Sequence, residues 1–287
     1  MIRLHRRWLT VALAAALLVG VAPGAGAAPR AELWARWQAH DPGSSLRIEH
    51  GAWAGFLARY VETGADGVNR VAYGRVTPQD RAMLDGYVEA LARLPVSSLS
   101  RPQQMAYWIN LYNALTVQLV LEHQPALSIR DIDISPGLFS DGPWGKKLVA
   151  IEGERLSLDD IEHRILRPIW RDPRVHYAVN CASLGCPDLQ PEPFLADRLE
   201  EQLERAARSY VNHPRGVAIV DDALVVSSIY EWFKEDFGGT DAGVIAHLQR
   251  YAAPDLAAAL ARFTAIDDDR YDWRLNDAPP RRSVERS

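Results

Sequence analysis

Apolar side chains recur at three- and four-residue spacing along most of the chain, with short alternating runs between them. That rhythm predicts helices joined by small hairpins. Ala31 to Gln38 reads as a Trp-bearing helix, and Trp53, Phe56, Leu57, Tyr60 and Val61 mark the apolar face of the next. Val68 to Tyr73 alternates as a short strand does. Thr77-Pro78 is an N-cap followed by proline at the first helical position, so a helix runs to about Leu94. Ser100-Arg101-Pro102 opens another helix by the same device, reaching about His123. That helix is apolar on all sides, which marks it as central. Asn110 and Asn113 stand on one side of it. Buried amides must be hydrogen-bonded, so the two either tie the helix to neighbouring backbone or line a pocket.

Further on, Lys147–Ile151 and Glu154–Leu156 read as a hairpin around Glu152-Gly153. Ser157 and Asp160 form a capping-box pattern for a helix that carries the adjacent Glu162 and His163. Between Arg174 and Pro187 the chain reads RVHYAVNCASLGCP. Val175, Tyr177 and Val179 alternate with His176, Ala178 and Asn180, a half-buried strand running into a corner of small residues that includes Ser183. Phe194 to Tyr210 predicts an amphipathic helix, 217–226 a hairpin around Asp221-Asp222, and Ile229 to Phe237 an aromatic helix ended by Gly238-Gly239. Gly243–Tyr251 and Asp255–Phe263 are two more helices. Pro136 to Lys146, with Phe139 and Trp144, is a loop, and Tyr271-Asp272-Trp273 docks near the end. The whole predicts a helix-rich α+β single domain around a small, mainly antiparallel sheet.

The beginning of the chain changes the setting. Arg3, Arg6 and Arg7 precede an apolar run from Leu9 to Val21, and Ala25-Gly26-Ala27 is an A-x-A cleavage site. Residues 1–27 thus read as a signal peptide, which implies a periplasmic or secreted protein. Residues 28–277 are then the globular domain and 278–287 a charged, Pro-rich disordered tail. Removing the leader takes three Arg and no acid, so the formal charge moves from -5 to -8. That acidity argues against a nucleic-acid partner. No other apolar stretch is long enough to be a stable membrane span. Hydrophobic content of 48% with nine Trp indicates a packed protein.

Both cysteines, Cys181 and Cys186, lie in the 174–187 stretch. Four readings stay open. An even count in an oxidising compartment suggests a disulfide, and the Ser-Leu-Gly corner can bring the two Cα atoms to the required ~4.4–6.8 Å. Alternatively Cys181 is a nucleophile, with His176 or His163 as base and Glu162, Asn110, Asn113 or Asn180 in support. A zinc site from His163, His176, Cys181 and Cys186 has suitable side chains but matches no usual spacing, so no metal and no cofactor is assigned. Last, the thiols are buried and inert. There is no GxSxG, HExxH, Walker or GxGxxG pattern.

The segments YWINLYNALTVQLVL, SIRDI, PWGKKLVAIEGERLSLDDIEHRILR, DPRVHYAVNCASLGCP, SSIYEWFKEDFGG and YDWRLND resemble the bacterial domain-of-unknown-function 547 family, from about residue 53 to 277. The resemblance implies an envelope-associated protein in this leader-bearing form. A distant similarity to papain-like or transglutaminase-like folds is set against one departure: the central helix begins Pro102-Gln103-Gln104 and carries no cysteine at its start. The expectation is an exported envelope protein that binds or assembles with an envelope peptide or protein, stapled by Cys181–Cys186. In that reading Trp108, Trp144, Trp232 and Trp273 are core or ligand-contact residues. The alternative is a cysteine-dependent hydrolase or acyl-transfer enzyme acting on an envelope peptide or amide.

Overall fold

A computed structural model describes residues 29–125, 127–136 and 142–279. The leader, Phe139 and residues 280–287 lie outside the described residues. The fold is helix-rich α+β, as the periodicity predicts. Its strands, however, form three small separate sheets instead of one.

The first half builds outward from one helix. A 3-10 turn, Ala35–Gln38, stands where a longer N-terminal helix was expected, and it buries Trp37. α1 (Gly51–Tyr60) leads into the antiparallel pair β1 (Val61–Thr63) and β2 (Asn69–Val71). α2 (Pro78–Ala92) starts with Thr77 Oγ1 accepting the Asp80 N–H at 3.1 Å, the expected cap. α3 (Arg101–His123) begins where expected, although the Ser100 side chain makes no capping hydrogen bond. Every α3 residue from Gln103 to Leu121 except Gln118 is buried, so its all-round apolarity reflects contact on every side. Trp108 is fully buried edge-to-face against Trp37, 5.1 Å between ring centroids, and is a core residue.

The antiparallel hairpin β3 (Val149–Ile151) and β4 (Glu154–Leu156) turns at Glu152-Gly153, both at positive φ. The Ser157–Asp160 capping box forms: Asp160 N–H donates to Ser157 Oγ at 3.2 Å and Ser157 N–H to Asp160 Oδ2 at 2.8 Å. The helix it starts has π geometry over Asp160–Leu166 and passes into α4 (Arg167–Trp170). π turns widen a helix and often mark sites where side chains are re-aimed.

The expected strand through His176 is a correction. Val175–Ala178 is one short helix, α5, and the chain becomes extended only at Val179. All six residues from Val175 to Asn180 are buried. The alternation therefore did not separate an inner face from an outer one, and neither set of alternate residues maps onto a single core. Val175 and Ala178 join the larger core around α3, whereas Tyr177 joins the smaller one.

α6 (Leu199–Val211) links these cores, with Leu199 and Leu203 in the first and Ala206, Ala207, Tyr210 and Val211 in the second. It starts later than the periodicity predicts, because the Phe194 backbone is held by the Asn110 side chain. The antiparallel hairpin β5 (Val217–Val220) and β6 (Ala223–Ser227) gains a parallel third strand, β7 (Asp268–Arg270). α7 (Ser228–Trp232), a 3-10 turn at Lys234–Phe237, α8 (Asp241–Tyr251) and α9 (Pro254–Leu260) complete the second core. The chain then returns to the first: Ala278 is buried, its N–H donating to Val71 O at 2.9 Å, so it is not part of a free tail. Among the described residues no helix is long and apolar enough to cross a membrane.

α3 holds this arrangement through two amide clamps. Asn110 Nδ2 donates to Phe194 O at 2.7 Å while its Oδ1 accepts the Phe194 N–H at 3.0 Å. Asn113 Nδ2 donates to Ala178 O at 2.9 Å while its Oδ1 accepts the Asn180 N–H at 2.8 Å. Both side chains are buried, and truncating either leaves buried peptide groups without partners. Asn113→Ala is expected to lower unfolding free energy by roughly 2–4 kcal/mol. Met83→Ala, on the half-exposed side of α2, should change it by less than ~1 kcal/mol. Urea titrations of the two variants check this, and equal losses would refute the clamp.

Candidate functional site: a thiol corner and an aromatic ridge

Residues 179–187 form a corner built from side-chain amides. Asn180 Oδ1 accepts the Ala182 N–H at 3.0 Å, and Asn180 Nδ2 donates to Pro187 O at 2.7 Å. Asn276 adds Nδ2–H to Asn180 Oδ1 at 3.2 Å and its backbone N–H to Ala182 O at 3.0 Å. These bonds hold Ala182 at a φ of 59°, a left-handed conformation uncommon for a residue with a Cβ. Gly185 is required for a different reason: a Cβ there would lie 2.7 Å from the Asp272 backbone nitrogen.

The expected Cys181–Cys186 disulfide is a second correction. Both residues are free thiols, and the corner holds the sulfurs apart. The Cys181 backbone N–H donates to Cys186 Sγ at 2.9 Å, so Cys186 acts as an acceptor inside the turn. Cys181 Sγ lies 3.0 Å from the Tyr271 hydroxyl and 3.2 Å from Ser183 Oγ, and Ser183 donates to Tyr271 Oη at 2.9 Å. Burial alone would raise the Cys181 thiol pKa, but hydrogen bonds from Cys186, Ser183 and Tyr271 outweigh it and lower the value. Burial, reinforced by Cys181, pushes Cys186 up. Cys181 is half-buried and Cys186 buried.

The histidines gather at a different place. His176 Nε2 donates to Asp236 Oδ2 at 2.7 Å, and Arg167 Nε donates to the same oxygen at 2.6 Å. Glu162 Oε1 stands 3.6 Å from His176 Nδ1, which has no hydrogen-bond partner. Arg167 Nη1 donates to His163 Nδ1 at 3.0 Å; this places the His163 proton on Nε2, 3.7 Å from Asp159 Oδ1. Phe233 stacks on the His176 ring at 4.4 Å and 17°. Burial opposes charge on His176, but Asp236 and Glu162 win and raise its pKa. Burial lowers His163 to about 4. Burial would raise Glu162, but His163, His176 and Arg167 hold it at about 2.

These two clusters do not merge. Among the described residues no histidine ring hydrogen-bonds either sulfur, so the structure does not bring His176 or His163 to Cys181 as a base. Tyr112 of α3 is buried, and burial first, then the negative charge of Glu162 and of the cysteines, pushes its hydroxyl pKa well up. Asn110 and Asn113 serve backbone, as described above. Among the described residues no group of three His, Cys, Asp or Glu side chains could hold a metal ion.

Sequence reasoning missed Tyr271, Asp236, Arg167 and Asn276 as partners. Their distance along the chain hides them; the faint signal was their place inside the motif-like segments 227–239, 143–167 and 271–277. Tyr271 also belongs to an aromatic ridge on the surface. Trp232 lies 4.8 Å from Tyr271 and stacks on Trp273 at 5.5 Å and 26°. Trp273 meets Trp144 edge-on at 5.9 Å, and the Arg130 guanidinium lies 5.2 Å from the Trp273 ring centroid. All four rings are half-buried. A cleft opens on each side: about 240 Å³ beside Tyr271 and Asp272, and about 350 Å³ beside Trp273.

The motif segments 107–121, 128–132, 143–167, 172–187, 227–239 and 271–277 thus all contribute to the two clusters and the ridge beside them. Residues 96–211 match the model of the family described as "Protein of unknown function, DUF547", which supports the resemblance carried by the motif segments. The matched segment includes α3, β3–β4, the π turn, the thiol corner and α6. No curated protein and no solved structure matches the chain.

The charge cluster sets a pH dependence. His176 has a folded pKa above its unfolded value of 6.5, so its stabilisation is full below pH 6.5 and is lost as pH rises through the folded pKa. Asp236 and Glu162, both held at about 2, lose their contribution only in strong acid. His163, lowered to about 4, works against the fold as pH falls from 6.5 toward 4. His176→Gln should therefore cost most near pH 6, roughly 3 kcal/mol for a broken buried pair, and progressively less at higher pH. Urea midpoints of wild type and variant from pH 5 to 9 test this; a constant difference would exclude a charged His176.

Proposed function

We propose that this is an exported envelope protein that binds peptide-like ligands through the Trp144–Trp273–Trp232–Tyr271 ridge, without thiol chemistry. The observation that supports it is the ridge itself. Four large half-buried rings from three separate segments meet one another where the two cores reach the surface, Trp144 resting on the first core and Trp232 and Tyr271 on the second. Aromatic rings supply large contact area at low entropic cost, which suits recognition. The cysteine-dependent enzyme draws support from the lowered thiol of Cys181, but its side-chain neighbours are the Ser183 and Tyr271 hydroxyls, and among the described residues no histidine base hydrogen-bonds it. The corner remains a rigid mount for Tyr271.

Tryptophan fluorescence reads ligand contact directly at this ridge. A panel of short acetylated, amidated tetrapeptides is expected to include members that give saturable changes. Trp273→Ala should abolish them and Cys181→Ser should preserve them. Loss of binding in Cys181→Ser with turnover of peptide by the wild type would reverse the choice between the two readings. Export is checked separately. Expressed at full length in a bacterium, the protein should be recovered from the periplasm or medium with Ala28 at its N-terminus. An intact leader on a cell-interior protein would refute it.

A further inference from the structure

One face of the three-stranded sheet lies outside both cores. Val217 and Ile219 on β5, with Leu224 and Val226 on β6, turn toward the second core. The residues that alternate with them face the other way. Ala218 and Val225 are paired across β5 and β6, and Val220 continues their face at 39% exposure. Val225 is buried yet belongs to neither core. A cleft of about 240 Å³ opens over Ala218 and Val225, with Tyr271 of the ridge in its wall. That is small beside the ~300–1,000 Å³ of sites that enclose a whole ligand, so it suits one residue of a longer one.

The charged groups of this cleft are unequally committed. Arg215 gives Nη2 to Asp188 Oδ1 at 2.6 Å and Nη1 to Leu184 O at 3.1 Å, while its buried Nε has no hydrogen-bond partner. Asp272 is held bidentately by Arg274. Arg270 is different. It stands on β7 two residues after Asp268, which pairs with Val225, so its position belongs to the cleft face. It lines the cleft with a side chain that is 64% exposed. Its ion pair runs from Nε to Asp268 at 3.6 Å, too long for a hydrogen bond. Among the described residues no hydrogen bond occupies its two Nη groups.

Resting on the binding reading above, we infer that this cleft is the subsite for the free C-terminal residue of a peptide. The apolar side chain of that residue lies over Ala218 and Val225, and its α-carboxylate meets Arg270. The ligand must match an apolar floor and one uncommitted guanidinium at once. A C-terminal residue carries an apolar side chain and a carboxylate on the same Cα, whereas a Glu or Asp side chain ends in the acid and leaves the floor bare. A phosphate would leave part of its charge unanswered by a single guanidinium. An ammonium group would meet Arg270 with the Asp272 carboxylate already taken. The unpartnered Arg215 Nε adds to the preference for an acceptor. Guanidinium and carboxylate pair in a two-bond fork, which fixes the direction of the chain. The peptide thus runs along the ridge, passes Tyr271 and ends in the cleft.

The test titrates four probes into the purified protein and reads tryptophan fluorescence. They are acetyl-Ala-Ala-Ala-Leu as the free acid, the same peptide amidated, amidated acetyl-Ala-Ala-Ala-Glu, and octanoate. The free acid should bind at least about tenfold more tightly than its amide. Arg270→Gln should remove that advantage and leave the affinity of the amide unchanged, which also shows that the variant is folded. Equal binding of acid and amide, both abolished by Trp273→Ala, would overturn the C-terminal subsite and leave the ridge as a binding site. An advantage that survives Arg270→Gln would overturn the place given to the carboxylate. A Glu peptide that matches the free acid would assign the cleft to an acidic side chain, and octanoate that matches it would assign the cleft to a fatty acid; either overturns the inference. No binding of any peptide would overturn the ridge reading itself, and the subsite with it.

Discussion

Most of what is specific to this protein depends on two side-chain amides on one buried helix. Asn110 and Asn113 each make a two-bond clamp on backbone, one on the irregular segment before α6 and the other where α5 ends. One clamp fixes the backbone before α6; the other fixes the step from α5 into the thiol corner. A buried amide is costly unless all its groups are paired, and the peptide groups it serves are equally costly unless served. Each clamp satisfies both needs at once. The surrounding apolar residues could shift by fractions of an ångström without large loss, whereas these bonds define registers. Through them the central helix determines where Cys181, Tyr271 and the ridge stand.

The two polar clusters have different physics. Around His176 the polar groups are buried and mutually compensating: two carboxylates face an imidazole whose pKa they raise and a guanidinium, with Phe233 and Phe237 against the ring. Such networks are expensive to desolvate, so their value lies in the unpaired charge that any disruption leaves behind. Around Cys181 the groups are neutral donors and acceptors at a half-buried position. The first cluster orders the junction between the cores, and the second positions Tyr271 at the surface. A thiol enzyme would require them to share a histidine, and among the described residues no histidine ring hydrogen-bonds either sulfur.

The ridge and its clefts lie at the end of this chain of support. Tyr271 is anchored by Cys181 and Ser183, and the backbone beside it pairs with the corner through Leu184 and Gly185. Trp273 stacks on Trp232 and meets Trp144 edge-on. Rings held this way lose little freedom on meeting a ligand, which is what preorganised recognition requires.

Local signals told much about the elements. The Thr77 cap, the Ser157–Asp160 box, the Glu152-Gly153 turn and Gly238 each act where the sequence places them, because each depends on neighbours within four residues. The central helix was legible from apolarity on all its faces. The helix-rich α+β class, and the resemblance that the family model supports over residues 96–211, followed from the same residues. Tertiary structure decided the rest. Val175 to Asn180 alternates, yet it is a helix that serves two cores and then an extended step, because burial on every side removes the meaning of a period of two. The two cysteines looked like a staple by count and compartment, yet the amides of Asn180 and Asn276 set a turn that keeps the sulfurs apart. His176 and His163 looked like partners for Cys181, yet Asp236, seventy-three residues beyond His163, draws them with Arg167 into a separate pocket of charge. Spacing along the chain specifies what can bond locally; which distant group satisfies each buried donor is settled only when the whole chain has packed.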